Sequence, residues 1–143
     1  SLIWTSYTFH DFHYKAFKQL TNDFSGKQMP GDPKHCIAAG YDLSFKNGIY
    51  GSVTYYYAHK IPLNDANTAF ANNYHLLGSK IGFETSIKTL HLNVFGGGNN
   101  LLNTKYSLGN DLNAAAGRYY NTAAGINYYA GISVRWEKKQ LVN

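Results

Sequence analysis

The chain has 143 residues with 13 Lys and Arg against 8 Asp and Glu, a formal net charge of +5, and its length bounds it to one domain. Hydrophobic residues make up 44% and aromatics 16%, with 13 Tyr, yet mean hydropathy is only -0.37 and no run reaches the roughly 18 apolar residues a membrane helix needs. The basic residues are spread along the chain and do not stack on one predicted face, which argues against nucleic acid as a partner. Cys36, the single cysteine, leaves no intramolecular disulfide and no Cys-rich metal centre.

From Leu2 to about Phe17, Ile3, Tyr7 and Phe9 alternate with Ser6, Thr8 and His10, and a two-residue period predicts a strand, with a bulge near Asp11. Gln19 to Lys34 contains Asn22, Asp23, Gly26, Pro30, Gly31 and Pro33, a loop by turn chemistry. The clearest alternation follows over His35 to Phe45, where Ile37, Ala39, Tyr41, Leu43 and Phe45 oppose Cys36, Ala38, Gly40, Asp42 and Ser44. Lys46-Asn47-Gly48 predicts a tight reversal, because Asn-Gly takes positive φ readily. The third strand is expected over Ile49 to Ile61, and Pro62 to Asn73 reads as a second long loop.

A fourth strand over Tyr74 to Thr85 sets Leu77, Ile81 and Phe83 against Gly78, Lys80, Gly82 and Glu84, and Ser86-Ile87-Lys88 is expected to turn it. A fifth runs from Thr89 to Phe95, with Gly96-Gly97-Gly98 read as its exit kink, since glycine offers a strand no packing. Asn99 to Gly125 is the longest expected loop, and Asn127 to Trp136 the last strand. The fold class is therefore all-β, an antiparallel meander of about six strands in which short turns alternate with long loops. One apolar face against one small or polar face is the pattern of a transmembrane barrel wall, whose short turns and long loops lie on opposite sides of the membrane.

The stretch Phe95 to Asn121, with Asn100, Leu101, Leu102, Asn103 and Tyr106, followed by Tyr128 to Trp136, resembles the C-terminal end of TonB-dependent outer-membrane receptors of Bacteroidetes-like sequence. Met29 to His35 is similar to the same family's Pro-x-x-Pro-x-His lead into a strand, and Ser6 to Phe12 looks like its preceding strand, so the resemblance covers most of the chain. It implies a 22-stranded barrel in the bacterial outer membrane, filled by an N-terminal plug, that imports scarce ligands such as ferric siderophores, haem, cobalamin or glycans with energy passed through TonB. Residues 1–143 would be the last six or so strands, without plug or TonB box. The absence of an initiator Met and of a signal-peptide pattern at Ser1 agrees with a fragment or a processed chain. Family members usually stop at the terminal aromatic, whereas Glu137 to Asn143 continue past Trp136.

Lipid is the expected partner of Ile37, Tyr41, Leu43, Phe45, Val53, Tyr55, Ile81, Phe83, Leu90, Leu92, Ile132 and Val134. Asp42, Lys80, Glu84 and Arg135 fall on the other side, where they line a polar lumen, meet the plug, or pair with one another to solubilise the interior. Candidate ligand contacts lie in the loops at Asn64, Asp65, Lys105, Tyr106, Asp111, Arg118, Tyr119 and Tyr120, because aromatics and Arg dominate binding hot spots; the bland reading makes each a loop stabiliser. His10, His13, His35, His59, His75 and His91 show no ligand spacing, so no metal or cofactor is expected. Gly96-Gly97-Gly98 lacks the Lys-Ser/Thr of a phosphate loop, and no catalytic arrangement emerges. The rival from another class is a small self-contained β-barrel with a binding or structural role.

Overall fold

The computed structural model describes residues 1–137; the expected tail from 138 to 143 lies outside the described residues. Six long strands carry the fold: β1 (Leu2–Phe9), β2 (His35–Ser44), β3 (Ile49–Ala58), β4 (Tyr74–Ile87), β5 (Leu90–Asn99) and β6 (Asn127–Trp136). Sheet order equals chain order and every pairing is antiparallel. The chain is thus all-β, with a six-stranded meander. Among the described residues the sheet is open: β1 and β6 are its two edges.

Directly opposed residues in a ladder share a face, so register sorts the side chains. Ile49, Phe83, Val94 and Ile132 form one row across four strands, and Tyr7, Ile37, Tyr57 and His75 form another. The face they share also carries Tyr41, Leu43, Val53, Ile81, Leu92, Val134 and Trp136, and no Asp, Glu, Lys or Arg of the six strands falls on it. The opposite face carries the row Leu2, Asp42, Ser52, Lys80, Gly97 and Tyr129.

On that polar face, aromatic rings lie across glycines of the neighbouring strand: Trp4 over Gly40, Tyr50 over Gly82, Phe95 over Gly131 and Tyr129 over Gly97. A ring laid flat on a glycine covers backbone that has no side chain of its own, the device known as aromatic rescue. This explains one correction to the sequence reading. Gly96, Gly97 and Gly98 are not an exit kink but interior residues of β5, paired with β4 on one side and β6 on the other, since Tyr129 and Tyr128 supply the packing those glycines lack.

Other boundaries move for local reasons. β1 stops at Phe9, because residues 10 to 17 leave the sheet and fold back on their own loop through His10 N–H to Lys34 O (3.0 Å) and Met29 N–H to Phe12 O (2.9 Å). Pro30 and Pro33 on the returning segment lack the N–H groups a continued ladder needs. β3 ends at Ala58, and Ile61–Pro62 pairs instead with Phe70–Ala71. β4 runs on to Ile87, leaving Lys88-Thr89 as the turn, with Lys88 at φ 56°. At the other short turn Gly48 has φ 90°, and a Cβ there would strike the Glu84 carbonyl oxygen, so the Asn-Gly reading holds.

The buried hydrophobic residues among those described are Ala58, Ile61, Leu63 and Ala71, all at the loop end of the sheet or in the loops beyond it. Ile81, Ile132 and Trp136 are 66%, 71% and 79% exposed. Total accessible surface is 10396 Å², against about 7,400 Å² for a compact monomer of this mass. The strands therefore enclose no core of their own.

Replacing Gly97 by Ala places a methyl 2.6 Å from the Ser79 carbonyl oxygen and 2.5 Å from the Tyr129 hydroxyl. The expected cost is about 1–3 kcal/mol, read as a lower denaturant midpoint; Gly109→Ala, whose Cβ meets nothing within 4 Å, is the control and is expected to shift the midpoint far less.

Candidate functional site

Alternating turn lengths put all three long connections at one end of the sheet, and there they form a layer of their own. Tyr14 O–H donates to Asp65 Oδ1 at 2.6 Å, and Asn67 clasps Gln28 by accepting its N–H and donating to its carbonyl, both at 2.8 Å. Those bonds tie the first loop to the second. Asn113 ties the third to the second: its Oδ1 accepts the Asp65 N–H (3.0 Å), its Nδ2 donates to Asp65 Oδ2 (2.9 Å), and its own N–H donates to Leu63 O (2.9 Å). Ile61, Leu63, Ala71 and the flanking Ala69 and Tyr119 fill the space between.

The third loop is held at its root by Asn100, which is 5% exposed. Its Nδ2 donates to Thr104 O and Ala124 O, its Oδ1 accepts the Thr104 N–H, and it adopts φ 49°. Asn is one of the few side chains that tolerates this backbone while satisfying buried polar groups locally. Asn103 repeats the device at φ 50°, with its Oδ1 accepting the Ile126 N–H. The Asn-Leu-Leu-Asn segment singled out in the sequence is therefore a structural clasp.

Within this layer lies a cleft of about 580 Å³. Tyr74 and Tyr106, stacked at 5.0 Å between ring centroids, form part of its lining with Tyr120, Lys105, Asn103 and Asn110. Asn110 Oδ1 is buried without a hydrogen-bond partner among the described residues, an acceptor that a ligand donor would satisfy. Aromatic faces beside amide groups suit a ligand with apolar and hydrogen-bonding edges.

Of the eight loop residues proposed from sequence, the structure brings Lys105, Tyr106 and Tyr120 to this cleft. Asn64 is used internally, with Oδ1 accepting the Thr68 N–H and Nδ2 donating to Thr68 Oγ1. Asp65 holds Tyr14 and Asn113 as above, Asp111 accepts from Asn121 at 3.4 Å, Tyr119 packs on the loop core, and Arg118 follows the short helical turn Ala115–Gly117. Asn72, Thr104 and Asn110 also line the cleft and were missed, since Asn in a loop signals a turn before it signals a site.

Asp42, Lys80, Glu84 and Arg135 all fall on the polar face, and none pairs with another among the described residues. Asp42 accepts the Trp4 indole N–H at 3.2 Å. Lys80 Nζ lies 4.4 Å from the Phe95 ring centroid and 5.5 Å from that of Tyr50, and Arg135 binds Glu137 at 3.1 Å. Glu84 and Arg135 share a polar hollow of about 610 Å³ at the short-turn end with His91, Asn93 and Ser133. There Ser86 Oγ is 2.7 Å from His91 Nδ1 and His91 Nε2 is 3.3 Å from Glu137, a chain invisible in the sequence because cross-strand register creates it. Ser86 and Glu137 stand exposed, and with Glu137 N–H on Thr89 O (2.8 Å) the set fastens the end of β6 to the β4–β5 turn. Among the described residues no three His, Cys, Asp or Glu side chains converge as metal ligands. No family model matches the chain.

The bond to Asp65 is the largest of the causes, with burial, that push the Tyr14 hydroxyl up to about 12 from 10. The folded loops hold that proton more tightly than the unfolded chain does, so this contribution is complete below pH 10 and falls as pH rises from about 10 to about 12. Limited proteolysis across that range is expected to show the loop layer opening, with a shallower pH dependence in Tyr14→Phe.

Proposed function

We propose that this chain is an arc of the wall of a bacterial outer-membrane β-barrel, the C-terminal part of a TonB-dependent receptor that takes up a scarce ligand. The observation that carries this reading is the uncovered apolar face. A sheet with bulky apolar side chains on one side, polar and glycine-rich on the other, and no layer of the described residues packed against the apolar side is suited to a solvent that is not water. Ten-residue strands such as β2 rise about 33 Å and, tilted near 45°, cross about 23 Å, close to the apolar band of such walls.

The open edges fit the same reading, because six strands are fewer than the eight of the smallest common outer-membrane barrels and an unpaired edge invites further strands. In the complete barrel, strands that precede β1 would pair with it, the polar face would line the lumen and meet the plug, and TonB would act through that missing part. The loop layer would lie outside the cell, and its cleft would touch the imported molecule, a ferric siderophore, haem or cobalamin being the expected kinds. No catalysis is assigned.

Two neighbouring residues of β6 separate this reading from the self-contained soluble protein. Ile132 is on the apolar face and Ser133 on the polar one. Facing lipid, Ile132→Arg is expected to cost about 2–4 kcal/mol near mid-membrane and to deplete folded protein in outer-membrane fractions, with Ser133→Arg tolerated. For a water-exposed site the Ile132 change would stay within about 0.5 kcal/mol, and that result overturns the membrane assignment.

A further inference from the structure

We propose that Lys34, His35, His59 and Lys60, at the loop-side rim of the apolar face, form a site for the net-negative phosphate of an anionic membrane lipid headgroup, as distinct from a phosphate whose charge choline balances. The proposal rests on the membrane reading above and adds a partner to it. The rim is built by register: Phe9 opposes His35 on the apolar face, Tyr7 and Tyr57 occupy the next row, and the His59 N–H bonds to His35 O at 2.9 Å just past the end of β3. Beyond these rings the apolar band ends and the cations begin.

Two imidazoles meet here, and each has a lysine as its immediate chain neighbour, Lys34 before His35 and Lys60 after His59. The His35 and His59 rings meet edge to face at 5.5 Å. Lys34 Nζ lies 5.5 Å from the Phe9 centroid and Lys60 Nζ 5.1 Å from that of Phe70. His59 is held below its ordinary pKa by burial first, then by the neighbouring His35, Lys60 and Lys34. Asp11 balances part of it, at 3.0 Å from Lys34 Nζ; Lys60 has no ion-pair partner among the described residues.

Hydrogen bonding prepares the two imidazoles as donors. A tyrosine hydroxyl contacts Nδ1 of each, Tyr7 on His35 at 2.9 Å and Tyr57 on His59 at 3.0 Å. When the hydroxyl donates there, the ring proton sits on Nε2, which has no partner among the described residues. Two N–H donors and two ammonium groups answer the several oxygens and the charge of a phosphate. Their place at the edge of an apolar, aromatic band selects a phosphate presented at a membrane surface, with acyl chains alongside Tyr7, Ile37 and Tyr57.

The test uses the full-length protein that carries this chain, with vesicles of phosphatidylcholine alone or with phosphatidic acid added. Insertion into both kinds, with preferential retention of phosphatidic acid measured by native mass spectrometry, is the expected result. Lys60→Gln is expected to lower that retention about fivefold, the worth of one lysine at an anionic surface, and Lys34→Gln less, since Asp11 shares its charge. Lys46→Gln, at the opposite end of the sheet, is expected to change nothing. Equal retention of both lipids, or unchanged retention in the Lys34→Gln, Lys60→Gln double variant with native circular dichroism, overturns the phosphate site while leaving the membrane reading intact. Displacement of the lipid by millimolar inorganic phosphate overturns the assignment to a lipid, since the site would then read the anion alone. Failure to enter vesicles of either composition overturns both.

Discussion

Cross-strand register is the constraint on which this structure depends. A strand's side chains alternate strictly, so slipping any one of the six by a single residue would carry its apolar set to the polar face. The observed pairings keep Ile49, Phe83, Val94 and Ile132 in one row and Asp42, Ser52, Lys80 and Gly97 in another across the same strands. Among the described residues, nothing packs on the apolar rows from the other side. Within the sheet the register is held by backbone pairing and by the aromatic rings that lie on facing glycines, and not by a buried core of the usual kind; on the membrane reading proposed above, lipid would add to its specificity.

The wall and the loop layer hold together by different means. In the wall, backbone pairing is continuous and side chains serve chiefly to face one medium or the other. In the loops, backbone groups find partners in Asn and Asp side chains: Asn100 closes the third loop on itself, while Asp65, Asn67 and Asn113 lock the three loops together. The small cluster of Ile61, Leu63 and Ala71 is the only place where apolar side chains of the described residues are buried together. The cleft residues Lys105, Tyr106, Asn110 and Tyr120 belong to this loop layer, so on the proposed reading they could change without disturbing the sheet beneath.

Much of the wall is legible in the sequence, because a period of two is a local property. The twelve residues expected to face lipid all belong to the apolar side by register or, for Phe45, by alternation just past β2, and the last strand has the bounds its alternation gives. What stayed hidden was non-local. Gly96, Gly97 and Gly98 read as a break because their compensation comes from Tyr128, Tyr129 and Leu101. Residues after Phe9 continue an extended pattern, but prolines facing them deny a ladder. In the loops the types of residue were legible and their employment was not: Asp65 and Tyr119 are as plausible for a ligand as Tyr106, and only the folded layer shows that they hold it together. The Ser86, His91 and Glu137 chain likewise exists only once β4, β5 and the end of β6 are aligned.

The chain carries one tryptophan on each face, Trp136 on the apolar side and Trp4 over Gly40 on the polar side. In lipid vesicles, the fluorescence contributed by each is isolated by subtracting the Trp136→Phe or Trp4→Phe variant of the protein. A membrane wall predicts that brominated acyl chains quench the Trp136 component strongly and the Trp4 component little. Equal quenching of the two, or quenching of neither by lipid while aqueous acrylamide quenches Trp136 freely, would contradict it.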